Sequence, residues 1–212
     1  MHSLRKAALY GAAALATLTL CGFARRAALM QTYSLQDLKG ANGFSFSLVD
    51  GVEPIFGVGN DIKGKVDFDV NNPEKSKGEV EIGMKSLKLT SADMTASMQG
   101  GWCLDIEKYP TAKFVVTGVK IKSKTKEGAF TGTLTGNLTI KDVTKSITVE
   151  GKARLLPGAA KVRYGDKEGD LMMLSSEFDF DRHDFNIAKD FDGKVIGTRV
   201  RMVINCAATS FK

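Results

Sequence analysis

Few residues in this 212-residue chain are suited to chemistry. Of its two histidines, His2 and His183, only His183 lies in a patterned segment, Asp179-Phe180-Asp181-Arg182-His183-Asp184-Phe185. A histidine flanked by carboxylates has the makings of a general base oriented by an acid, or of a mixed nitrogen and oxygen metal site. A hydrolase or metal-dependent enzyme centred on His183, with Asp181 or Asp184, is therefore one reading. Against it, zinc sites recruit further histidines or spaced thiolates, and none accompanies His183. The same segment also reads as an alternating strand running into a turn, where aspartate and arginine neighbours satisfy one another. That simpler reading is preferred, and no catalytic or metal-ligating residue is assigned.

The remaining polar clusters are no stronger. Asp166, Glu168 and Asp170 place oxygens at alternate positions, as a calcium loop would. The glycines are misplaced for an EF-hand and no terminal glutamate follows, so a solvated hairpin loop is expected. Gly57-Val58-Gly59 with Gly64 lacks the Lys-Ser/Thr that closes a phosphate loop. Cys103 and Cys206 could pair in an oxidising compartment or remain as buried thiols, and both readings stay open. The basic run Lys120, Lys122, Lys124 and Lys126 alternates with small or apolar residues, like a charged hairpin edge rather than a nucleic-acid face. With no activated nucleophile, paired acid or cofactor fingerprint, the pattern points to binding without a cofactor.

The N-terminus reads as an export signal. Arg5 and Lys6 precede an uncharged Ala- and Leu-rich run, and Gly22 and Ala24 supply the small residues read by a signal peptidase. Residues 1–24 are expected to be removed, leaving residues 25–212 as one domain in the periplasm or outside the cell. The alternatives are an uncleaved anchor, for which the run is short, and acylation at Cys21, where Leu20 occupies a position that calls for a small residue. Removal takes away two positive charges and no acids, so the net charge falls from +6 to +4.

The elements that must position any site are strands. Apolar residues alternate at Phe44, Phe46 and Leu48; at Val66, Phe68 and Val70; and at Val80, Ile82 and Met84. The pattern returns in residues 130–140, 147–155, 174–180 and 200–206. Residues 114–121 are apolar in both phases, so their faces are unassigned. About eight half-buried strands with short polar breaks indicate an antiparallel sandwich or barrel. Gly132, Gly136 and Gly151 fall on the apolar face, where a barrel uses glycine to bend or to leave a lumen. One segment differs. Ser91 is a candidate N-cap, Met94 and Met98 lie one helical turn apart, and Gly100-Gly101 ends the run. A short helix near one barrel mouth is expected there. Tyr109-Pro110 then forces a corner, with a strand resuming at Ala112 or Lys113.

Four segments in order carry a resemblance: VDFDVNNPEKSKGEVEI (residues 66–82), WCLDIEKYPTAKF (102–114), LTGNLTIKDVTKSITVEG (134–151) and FDFDRHDFNI (178–187). Together they resemble the YceI-like, lipid- and polyisoprenoid-binding proteins, over about residues 44–207. The chain departs from that pattern at Asp142, where glycine is usual, at His183 and Asn186, where small residues are commoner, and in residues 92–101, which lack the usual charges. The resemblance implies an all-β fold, an antiparallel lipocalin-like β-barrel of about eight strands, whose apolar lumen holds a polyisoprenoid or other apolar lipid.

Lumen candidates are the apolar-phase residues Phe46, Phe68, Val80, Ile82, Leu134, Leu138, Val149, Phe178 and Met202, joined by Met94, Met98 and Trp102 at the mouth. Core packing is the competing role for each. No nucleic-acid partner is expected. Transient contact with a membrane and self-association as a homodimer are both compatible with this reading. The rival functions are the His183-centred enzyme and a ligand-free interaction barrel filled by its own side chains.

Overall fold

The computed structural model describes residues 30–36 and 39–211. The expected export segment and Cys21 lie outside these residues. Eleven antiparallel strands follow in chain order: β1 (Gln31–Ser34), β2 (Gly43–Leu48), β3 (Phe56–Gly59), β4 (Ile62–Phe68), β5 (Lys77–Gly83), β6 (Lys88–Leu89), β7 (Thr111–Lys124), β8 (Ala129–Ile140), β9 (Val143–Leu156), β10 (Gly169–Asp181) and β11 (Arg199–Phe211). Helices α1 (Ala92–Gln99) and α2 (Ala160–Tyr164) interrupt them.

Eight strands close a barrel in the order β1-β4-β5-β7-β8-β9-β10-β11, and the pairing of Ser34 with Thr209 completes the ring. On that side the long β11 has two partners. It meets β1 at one end and β2 over residues 200–205 at the other. From β2 the sheet continues through β3 to the two-residue β6 as a flap over one end of the barrel. The expected count of eight therefore holds for the ring. Its membership differs, because β2 belongs to the flap and the four-residue β1 takes its place.

Strand β7 explains its own unreadable pattern. Its pairing with β8 shifts register between Val116 and Gly118 and again between Ile121 and Ser123. An extra residue in one strand reverses which phase faces inward. Ala112, Phe114 and Val116 face the barrel interior, and beyond the first shift Val119 and Ile121 do so.

The inward glycines do not simply leave space. Several accommodate a side chain from a neighbouring strand. A Cβ on Gly57 would collide with the Phe46 ring, one on Gly59 with the Phe44 ring, and one on Gly136 would lie 2.5 Å from the Phe114 ring. Leu134 covers Gly151 in the same way, 3.1 Å from where a Cβ would stand. Gly132 serves a different need, since its Cβ would strike the Lys120 carbonyl of β7.

Two seams break the wall, and a 3₁₀ turn covers each. Pairing of β5 with β7 ends at Glu79 and Val115, and the Pro73–Lys75 turn packs against β7 beyond it. There Ile121 N–H donates to Glu74 Oε1 at 3.3 Å. Pairing of β9 with β10 ends at Glu150 and Glu177, and the Arg182–Phe185 turn packs on β9 beyond it.

Arg182 anchors that second turn. It is 2% exposed, and all five guanidinium N–H groups donate to backbone carbonyls, those of Ile187, Ala188, Phe191, Ile196 and Gly197. The expected pairing of Arg182 with its aspartate neighbour is not what the turn uses. Asp181 instead accepts the His183 backbone N–H at 2.8 Å and caps the turn, while Asp179 receives Arg201. The reason is reach: the Arg182 side chain points into the interior, and the loop of residues 186–198 wraps its carbonyls around it.

Urea unfolding of three variants checks these contacts. Gly132→Ala should lose about 1–3 kcal/mol in urea unfolding, because a backbone carbonyl cannot yield to the new methyl. Gly118→Ala, whose Cβ would have its nearest neighbour at 3.9 Å, should change stability by about 0.5 kcal/mol or less. Arg182→Met removes a donor from five carbonyls, of which Ala188 O alone keeps a backbone partner among the described residues, the Phe191 N–H, and should cost at least about 3 kcal/mol in the same assay.

A two-chambered apolar lumen as the candidate functional site

Inside the barrel lie two adjoining cavities, an inner chamber of about 200 Å³ and a mouth chamber of about 300 Å³. Four residues line both, Ile82, Ala112, Leu138 and Phe178, and they form a waist. Ile82 and Ala112 face one another across the β5–β7 pair, while Leu138 and Phe178 project from β8 and β10.

The inner chamber contains Phe68, Val80, Leu134 and Val149 among the sequence candidates. It ends against a packed cluster in which Tyr33, Leu35, Met172 and Ala208 are buried and Phe68 meets the Phe130 ring edge-on at 5.2 Å. The mouth chamber contains Phe46, Met94, Met98, Trp102 and Met202. Ile82, Leu138 and Phe178 stand at the waist. Each of the twelve candidates thus lines one or both of these adjoining cavities. Sequence reasoning missed Ala112, Arg182 and Phe191. The motif around Arg182 was visible, but its carbonyl partners come from a loop without any pattern.

Helix α1 forms as expected. The Ser91 hydroxyl accepts the Met94 N–H, and Thr95 turns inward, its hydroxyl accepting Leu89 N–H at 2.9 Å and donating to Ser91 O at 2.8 Å. Gln99 donates to the Leu87 carbonyl, fixing the helix beside β6. This places Met94 and Met98 over the chamber. Trp102 then stands at the rim, 44% exposed, with its ring 4.7 Å from Phe191. The corner ends at Tyr109-Pro110 and β7 begins at Thr111, one residue before the expected start.

Lys141 ties the rim together, donating to the carbonyls of Cys103 and Asn186 at 3.0 Å each. It sits in the tight β8–β9 turn with φ +56°, while Asp142, where glycine was expected, needs no left-handed backbone. Asn186 does adopt that conformation, with φ +53°, and asparagine tolerates it better than most residues.

Two of the polar side chains that line the chambers are engaged with the protein. The Ser176 hydroxyl donates to the Glu150 carbonyl at 2.7 Å, and Arg182 is saturated as described. Cys206 lines the inner chamber and Cys103 the mouth chamber; both are buried and no disulfide joins them. Burial pushes the Cys103 thiol up to about 11. Burial, with the charge of Asp170, pushes the Tyr33 phenol up to about 12.

The polar clusters do not converge. His183 is exposed, Asp181 caps the turn, and Asp184 pairs with Lys145 at 3.4 Å. Asp170 accepts Gln31 Nε2 and Gly158 N–H rather than joining Asp166 and Glu168. Among the described residues no three His, Cys, Asp or Glu side chains are grouped to hold a metal ion.

Comparison with protein families matches residues 33–208 to the YceI-like domain. The UPF0312 protein PA0423 of Pseudomonas aeruginosa is 34% identical over 98 residues, 46% of this chain and 48% of that protein. Protein YceI of Salmonella newport is 32% identical over 136 residues, 64% of this chain and 65% of that protein. The chain therefore spans about half the length of the first curated relative and just under two thirds of the second. Among solved structures, BcnA of Burkholderia cenocepacia superposes with a TM-score of 0.62 at 19% identity, covering 79% of this chain and 96% of that one. A polyisoprenoid binding domain from Saccharophagus degradans gives 0.59 at 10% identity, covering 85% and 99%. The four ordered motifs, the closed barrel and the match over residues 33–208 agree, and the chain belongs to the YceI-like domain family.

Proposed function

We propose that this protein is an exported carrier or store for a long-chain apolar lipid of the polyisoprenoid class. The observation that supports this best is the pair of adjoining apolar chambers that share a four-residue waist, the inner one backed by the Tyr33 cluster and the outer one beside the Trp102 rim. A chain would lie with its tail toward Phe68 and Phe130 and its polar end at Trp102. Burial supplies the affinity. Each CH₂ contributes about 0.8 kcal/mol, so a five-carbon unit contributes about 3–4 kcal/mol before ordering costs. The likeness to a domain described as polyisoprenoid binding favours this ligand class. The half-exposed Trp102, Phe191 and Met94 form the surface at which cargo would pass to or from a membrane.

Titration with radiolabelled geranylgeraniol tests the reading. The full chain should bind it saturably. Leu134→Trp, which fills the inner chamber, should weaken binding at least about tenfold, equivalent to about 1.4 kcal/mol. Failure of the wild-type protein to take up the alcohol would overturn the proposal. Affinity should also stay flat between pH 5 and 9, since Tyr33 and Cys103 keep their protons throughout. An activity run by histidine would instead vary with pH in that interval.

A further inference from the structure

We propose that Ala112 sets the length of chain the lumen accepts, by keeping the waist open so that one apolar chain threads both chambers. This rests on the reading of the lumen as an apolar-chain site. Three of the four waist residues, Ile82, Leu138 and Phe178, are bulky, and Ala112 is the only small one. On the interior face of β7 it is also the exception, since Phe114, Val116, Val119 and Ile121 complete that face. Ala112 is buried and lies directly opposite Ile82, so any larger side chain there would extend into the passage.

The geometry of the ends adds direction. The inner chamber backs onto the packed Tyr33 cluster, and the exposed rim opens on the mouth chamber. A chain arriving at Trp102 therefore reaches the inner chamber past Ala112. Neither chamber alone exceeds the lower limit of drug-sized sites, about 300 Å³, while the two together fall within the usual range.

The protein carries its own reporters, with Cys103 in the mouth chamber and Cys206 in the inner one. The full chain and an Ala112→Phe variant are to be labelled with N-ethylmaleimide in the presence of geraniol or geranylgeraniol, and the labelled positions read by peptide mass spectrometry. In the wild-type protein the longer alcohol should slow labelling of both thiols. In Ala112→Phe it should protect Cys103 alone. Its affinity should fall at least tenfold, while that of geraniol changes less than twofold. Ala112→Val should show the same trend at about threefold and serves if the phenylalanine variant does not fold. Undiminished affinity with both thiols still protected in the variants would overturn the waist proposal. No binding and no protection in the wild-type protein would overturn the carrier reading itself.

Discussion

The lumen exists because side chains on its wall lie flat over glycines. An eight-stranded barrel is only just wide enough for its own inward side chains to fill. Here the Phe114 ring and the Leu134 side chain fold along the barrel wall, over Gly136 and Gly151, and the Phe44 and Phe46 rings do the same along the flap, over Gly59 and Gly57. Any larger residue at those four positions would lift its neighbour toward the axis. The exchange keeps the wall apolar, covers the backbone that glycine would otherwise expose, and leaves the axis clear. An interior of this kind has few polar partners to hold water, so an apolar chain displaces little that is favourable.

The open end depends on a second device. A charged group inside a protein is costly unless its hydrogen bonds are met. Arg182 meets that demand with five carbonyls and in doing so organises the loop that carries Phe191. Lys141 then joins the Trp102 corner to the Arg182 turn through Cys103 O and Asn186 O. Both cations act on backbone carbonyls rather than on acids, so they fix loop shape without adding reactive charge to the chamber. Rim and lumen are thereby built from different chemistry: hydrogen bonds hold the first, and side-chain packing shapes the second.

How much of this was readable in the residues follows from the physics of strands. Alternation reports which face a side chain takes, so the long strands β8 to β11 and the inward phase of β4 and β5 were legible. It does not report height along the barrel axis. The twelve candidates could therefore be named, but not sorted into two chambers and a waist. Strands β1, β3 and β6 are too short for alternation to show, and the β7 bulges scrambled the phase at Val116 and Ile121. Glycine on the inner face was legible as a departure from the Val and Ile of an ordinary core. The covering rings were not legible, because that contact joins residues on separate strands. Ala112 looked like an ordinary strand start, since smallness acquires meaning only where three bulky residues surround it.

The most direct measurement is of what the lumen contains. Native mass spectrometry of the full protein purified from the exported fraction, followed by organic extraction, should find a mass excess that the solvent removes and that analyses as a long-chain apolar lipid. Stripped protein should regain the excess on exposure to the same extract. A homogeneous protein that carries no lipid and takes none up would contradict the lumen's role as a binding site.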